Sequence, residues 1–292
     1  MLRQSPDVTP RRATGARAVV AGAVLTLLAQ VAYPLTDGEA LRWLTIGTVV
    51  LFAATMVGHA WVTRGGAWAL AFTVVAAGGG LLVEGIGLRT GLPFGDYSYA
   101  HSLGPTLWRV PVVVPLAWSM MAYPCLLLGR TLSARLVRAS RRRRRPASGR
   151  RRDRPSVIVV AALGGWAMAA WDLFLDPQMV AAGHWVWRHP HPGLPGTSQV
   201  PVTNALGWLL AGVVLMGLLH VVLPSRSDRG GHHERHVGLS DLVPASLLAW
   251  TWLGSTLANA VFFDRPAVAA WGGLLLGVVT LPYLLVLWGR RP

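Results

Sequence analysis

The sequence predicts an all-α, polytopic transmembrane bundle of about eight spanning helices, with both termini in the cytoplasm. Three observations predict it. Only 13% of the 292 residues are charged and 53% are apolar, whereas an average soluble domain is about 25% charged. The charge is also clustered: all 27 basic residues are arginine, against 12 acids, a net charge of +15, and they fall between long uncharged stretches. Eight of those stretches reach the roughly 20 apolar residues that a hydrocarbon core demands of a helix. Together these features exclude a soluble globular domain, a disordered chain and a disulfide scaffold, since Cys125 has no second cysteine in the chain to pair with.

The spans fall at 17–35, 41–63, 67–88, 110–130, 156–176, 202–224, 242–263 and 267–288. The first follows four arginines but no small-x-small cleavage site follows it, so it is read as an anchor rather than a signal peptide. Alternate connections carry very different numbers of arginines. The N-terminus, Arg64, the segment Arg130–Arg154, the loop with Arg226, Arg229 and Arg235, and the tail Arg290–Arg291 hold 22. The opposite loops hold five: Arg42, Arg89, Arg109, Arg188 and Arg265. An excess of arginine marks cytoplasmic loops, and an even number of spans agrees with two cytoplasmic termini. Residues 1–292 thus read as a single integral membrane domain, with 131–155 an Arg-rich cytoplasmic loop. The run Arg141–Arg145 lacks interleaved aromatic residues and both flanks enter the membrane, so it reads as a topology-fixing loop near anionic lipid and not as a nucleic-acid site.

Acidic groups at membrane depth are functional candidates, because burying a charge there is costly. Glu84 lies near the end of span three, and Asp172 and Asp176 near the end of span five. Glu84 is 17 residues beyond the start of its span and Asp172 is 16 beyond its own. At about 1.5 Å rise per residue they reach nearly the same depth. Asp172 and Asp176, four apart, share a helix face. Arg89, Asp96, Asn204, Asn259 and Asp264 gather at the same outer level. His59 and His220, near cytoplasmic ends, read as packing residues. His184, His189 and His191 have no cysteine partner and no convincing zinc spacing, so no metal is expected.

Two outer segments resemble each other. Glu84 is followed by an aromatic loop through Tyr97 and Tyr99, then Val110-Pro111, then Trp118. Asp172 and Asp176 are followed by Trp185-Val186-Trp187, then Val200-Pro201, then Trp208. The Val-Pro and Trp positions recur at an offset of 90 residues, the pattern of a parallel internal repeat, and sites form at repeat interfaces. Of the 14 tryptophans, Trp43, Trp61, Trp185 and Trp288 are assigned to interfacial belts. Trp118, Trp171 and Trp208 lie nearer the acids. Gly78-Gly79-Gly80 suits close helix packing.

The stretch Glu84–Tyr99, the Trp171-Asp172 to Asp176-Pro177 segment, Trp185-Val186-Trp187, and Pro201–Trp208 with Asn204 resemble the motifs of the integral-membrane carotenoid biosynthesis proteins, over about residues 67–224. That family includes the carotenoid 1,2-hydratases, among them bisanhydrobacterioruberin hydratase. One departure is Gly196-Thr197-Ser198-Gln199, which stands where the family pattern carries an aromatic-glycine step. The resemblance implies addition of water across the terminal 1,2 double bond of an acyclic carotenoid, in a bacterial plasma membrane, without a cofactor and alongside other carotenoid-pathway enzymes.

The residue types suit that chemistry. Protonating an unactivated alkene needs a carboxylic acid that keeps its proton, a state that apolar burial favours. The resulting cation needs π faces, and a second carboxylate must orient the water. Asp172 or Glu84 is expected as proton donor and Asp176 as water-orienting base. Tyr97, Tyr99, Trp118, Trp171, Asn204 and Trp208 are the expected substrate-binding residues. Two other readings use the same residues. In one, Asp172 and Asp176 hold magnesium and a prenyl diphosphate in a membrane prenyltransferase. In the other, the repeat serves a non-enzymatic lipid or pigment transporter.

Overall fold

The computed structural model describes residues 10–143, 155–197, 199–224 and 241–289. Eight α-helices make up most of it: α1 Pro10–Ala32, α2 Gly38–Arg64, α3 Gly66–Thr90, α4 Val113–Arg143, α5 Val157–Ala181, α6 Val202–Val222, α7 Leu242–Leu257 and α8 Pro266–Trp288. Seven are long and apolar enough to cross a membrane, all except α7. With only 16 residues, α7 is continued by a π-helical turn, Ala258–Phe262. The span expected at 242–263 is therefore one helical path that changes its winding near its C-terminal end. The chain is a multi-pass membrane protein of all-α architecture.

Helix α4 does not stop at 130 but runs on to Arg143, so the first part of the segment read as an Arg-rich loop is helical. The rest of that segment, 144–154, lies outside the described residues, as do the loop carrying Arg226, Arg229 and Arg235 and the tail Arg290–Arg291.

Sequence chemistry sets the ends of these helices. Gly65, at φ +95°, lets α2 turn directly into α3. Gly91 closes α3 in the left-handed conformation, its N–H donating to the Gly87 carbonyl at 2.8 Å. Pro201 caps α6 with extended backbone. Between α3 and α4 lie β1 (Tyr97–Tyr99) and a small hairpin, β2 (Thr106–Leu107) with β3 (Val110–Pro111). Trp108 and Arg109 turn that hairpin with positive φ angles of 52° and 69°, as the primed two-residue turn requires. Between α5 and α6 lies β4 (Trp185–Trp187).

Helix α4 is the central post, with every residue from Trp118 to Arg130 buried. It touches α2, α3, α5 and α8, while α1 lies against α2 and α7 on the rim. Helices α5 and α6 approach most closely through Gly165 and Gly212. A Cβ on Gly165 would come within 2.5 Å of the Val213 nitrogen, so only small residues permit this crossing. Val74, Leu206, Val214 and Leu274 face outward, as lipid demands.

The two ends of the bundle differ in chemistry. At the end reached by α2 and α4 just before their arginines, Arg64 donates to the Tyr123 hydroxyl at 3.0 Å and pairs with Asp241 at 3.3 Å. His59 Nδ1 meets the same hydroxyl at 2.9 Å. Arg130 donates from Nε to His220 Nδ1 at 3.1 Å and from Nη2 to the Leu223 carbonyl at 2.5 Å. Both histidines are thus tied into packing networks. The acids lie at the other end.

Candidate active site

The two connections that resemble each other in sequence meet in space. β1 pairs antiparallel with β4 in the register Tyr97↔Trp187, Ser98↔Val186, Tyr99↔Trp185. Tyr97 and Trp187 are themselves 90 positions apart. Below them Trp118 and Trp208, also 90 apart, stack with ring centroids 4.3 Å apart and planes 10° from parallel. The repeat is therefore a local two-fold arrangement, in which matching residues of α3–α4 and α5–α6 face each other across one point.

At that point is a small cavity of about 50 Å³. Glu84 reaches it from α3 and Asp176 from α5, and Tyr97, Tyr99, Trp118, Asn204 and Trp208 also line it. The Trp118 indole donates to Glu84 Oε1 at 3.1 Å. Glu84 Oε2 meets two phenol groups, Tyr99 at 2.8 Å and Tyr97 in a very short contact. Burial, then the neighbouring Glu84 carboxyl, pushes both phenols well above the usual tyrosine range, so both stay protonated.

The second carboxyl group is held differently. The Asn204 side-chain amide, on the first turn of α6, donates to Asp172 Oδ2 at 2.9 Å and, more closely, to Asp176 Oδ2. The Trp185 indole donates to Asp176 Oδ1 at 3.1 Å. Both oxygens of Asp176 thus face N–H groups, whereas Asp172 Oδ1 has no partner. All three acids are at least 96% buried. Among the described residues none of them pairs with an arginine; the ion pairs there are Arg42–Glu39, Arg64–Asp241 and Arg188–Asp96. Among the described residues no group of three or more His, Cys, Asp or Glu side chains could hold a metal ion.

Seven of the nine expected site residues line this cavity. Asp172 sits behind Asp176, against a separate pocket of about 20 Å³ shared with Asn204. Trp171 packs edge-on against Trp208, 5.9 Å between centroids, and faces a neighbouring chamber instead. Asp96 is half exposed and pairs with Arg188 at 3.2 Å. Asn259 is buried in the π turn, donating to the Ser255 carbonyl at 2.9 Å, and does not line the acid cavity.

Trp185 and Trp187 are the residues that sequence reasoning missed. Trp185, assigned to an interfacial belt, is only 9% exposed and serves as a hydrogen-bond donor to Asp176. Trp187 donates to the Phe94 carbonyl at 3.0 Å and fixes the β1–β4 roof. Their alternation with exposed Val186 was the available signal: a two-residue period in a loop marks a strand with one buried face.

Residues 45–288 match the family model described as carotenoid biosynthesis protein. The chain belongs to the carotenoid biosynthesis protein family. Within the chain, 209 residues are 29% identical to a bisanhydrobacterioruberin hydratase from Haloarcula japonica, covering 72% of this chain. The chain spans 62% of the length of that relative. No solved structure matches. The family match takes in every residue of the acid cavity, from Thr45 to Trp208.

Proposed function

We propose that this carotenoid biosynthesis protein is a carotenoid-modifying enzyme that hydrates the terminal 1,2 double bond of an acyclic carotenoid, in the cell membrane. The observation that carries the reading is that two carboxyl groups, Glu84 from α3 and Asp176 from α5, line one apolar, tryptophan-walled cavity. The family membership and the hydratase relative support the same chemistry.

The hydrogen-bond partners support a division of roles between the two acids. Among the carboxyl oxygens of the two acids on the cavity, only Glu84 Oε2 faces no N–H donor; its neighbours are hydroxyls, which can donate or accept. A proton there can pass to C2, the less substituted carbon of the terminal double bond, forming a C–H bond and leaving a tertiary cation at C1. The stacked Trp118–Trp208 pair provides the π surface beside which such a cation is stabilised. Asp176, held by N–H groups at both oxygens, is the acceptor that orients water and takes the proton as the C–O bond forms. The products balance as alkene plus water to tertiary alcohol, and return of the proton to Glu84 resets the site. Asp172, bridged to Asp176 by Asn204, positions the base.

Expression in a host that accumulates an acyclic carotenoid tests this. The expected product is heavier by one water and is lost in Glu84→Gln and Asp176→Asn variants that still insert. Pigment that is bound but chemically unchanged by well-folded wild-type protein would refute the reading and favour a transporter.

A further inference from the structure

The acid cavity is too small to hold more than the tip of a polyene, yet a second cavity of about 330 Å³ lies directly beside it. The two share four wall residues: Thr45 and Val49 from α2, Leu175 and Met179 from α5. The larger chamber is bounded by spanning helices α1, α2, α4 and α5 and by α7 with its π turn. Its inner wall is apolar and aromatic, with Met120, Trp171, Phe174 and Trp250 prominent.

Its outer rim is not closed. Val31 in the last turn of α1 and Leu35 in the 3-10 turn that follows it are 47% and 70% exposed, and Leu257 and Phe262 on the opposite side are 57% and 51% exposed. Large apolar residues at that exposure, on helices of a membrane protein, face lipid tails. The winding of α7 changes at this rim, from α to π over Ala258–Phe262. Such π segments recur at functional sites because they displace a helix from its neighbour.

Building on the hydratase reading above, we propose that this chamber is the binding site for the polyene body and that its mouth, between the end of α1 and the π turn of α7, opens laterally to the bilayer. The terminal isoprene unit would then pass Val49 and Met179 to reach Glu84 and Asp176. Cavities that enclose a drug-sized ligand run from about 300 to 1,000 Å³. The chamber is at the lower end of that range, so the remainder of the chain stays in the lipid. A substrate that never leaves the bilayer needs no aqueous entry path, and the site needs only its tip.

The test uses the full-length protein in lipid nanodiscs with lycopene as the acyclic polyene probe. An achiral polyene shows visible-region circular dichroism only when a chiral site holds it, which reads binding independently of turnover. Wild-type protein is expected to give that signal. Ser255→Trp, which fills the chamber, should lower both the signal and the hydrated product at least tenfold. Val49→Trp, which plugs the passage between the cavities, should keep the signal and lower the product at least tenfold. Val74→Trp, on the lipid face of α3 at 62% exposure, should keep both. If Ser255→Trp fails to fold, Ser255→Leu repeats the test with a smaller side chain. The chamber inference is overturned if wild type gives no signal, or if the filled chamber retains signal and product. A chamber-dependent signal in wild-type protein that hydrates no acyclic carotenoid overturns the hydratase reading alone and leaves the chamber standing.

Discussion

Asn204→Leu removes the single group that bridges the two aspartates. One amide nitrogen donates to Asp172 Oδ2 at 2.9 Å and to Asp176 Oδ2, and leucine occupies a similar volume without a donor. Asn204 is 1% exposed, so water has little access to replace either bond. A buried acceptor stripped of its partner costs about 1–3 kcal/mol, and more when charged. Two such acceptors together amount to a loss of about 2–6 kcal/mol. Asp172 would be left without any protein donor, since its Oδ1 already lacks one. Asp176 would keep the Trp185 indole and its direct contact with Asp172. The measurement is the midpoint of thermal unfolding in detergent, read together with conversion of an acyclic carotenoid in membranes. The variant should unfold at a clearly lower temperature and lose most of its conversion, while Asn204→Gln, which keeps an amide, should recover part of both. Wild-type stability and wild-type conversion in Asn204→Leu would refute the view that this bridge holds the aspartates.

Four further outcomes follow from the same geometry. Gly80→Ala would place a Cβ 2.5 Å from Cγ of Trp118; overpacking of this kind costs about 1–3 kcal/mol, and the displaced indole should lower conversion through its lost bond to Glu84, checked by unfolding midpoint and product yield. Trp208→Ala removes one ring of the 4.3 Å stack and should cost about 3–5 kcal/mol, measured by thermal unfolding. Trp185→Phe keeps the ring but removes the donor to Asp176 Oδ1; conversion should fall about 10²-fold or more, as loss of an effective base does, with a smaller change in stability. The fourth concerns pH. Tyr97 and Tyr99 have raised pKa values when folded, against about 10 when unfolded. The folded state therefore holds more protons above pH 10, so stability is intact below that pH and falls as pH rises beyond it, by up to about 1.4 kcal/mol per pH unit for each phenol. A Tyr97→Phe, Tyr99→Phe double variant should lose stability less steeply above pH 10.

The fold was largely legible because a hydrocarbon solvent writes itself into the sequence as uninterrupted apolar runs, and all eight helices follow those runs. The site was legible where chemistry is costly: Glu84, Asp172 and Asp176 stood out as acids in apolar helices, and two of the three face one cavity. What the sequence hid was direction. Asp172 and Asp176 share a helix face, but a rotation of a few tens of degrees decides which carboxyl faces the cavity and which stands behind it. Trp185 was hidden for a different reason. A tryptophan near a membrane interface satisfies the belt pattern whether its N–H faces lipid headgroups or a carboxylate, and only the pairing of β1 with β4 turns it inward. The π turn left no mark at all, since Ala258–Phe262 has the composition of an ordinary helix end.

The two-fold meeting of the halves explains why neither half contains a site on its own. The α3–α4 half brings Glu84 with its two phenols and Trp118, and the α5–α6 half brings the aspartate pair with Asn204 and Trp208. The two halves thus surround their acids differently: Glu84 meets two hydroxyls and one indole N–H, and Asp176 meets N–H groups at both oxygens. A symmetric pair of identical acids would give two groups with the same affinity for a proton, and neither would be prepared to give while the other takes. Hydration needs both roles in one turnover, on two sides of the same carbon–carbon bond. Divergence of partners around a retained scaffold, with the Trp118–Trp208 stack still in place, supplies that inequality without altering the fold.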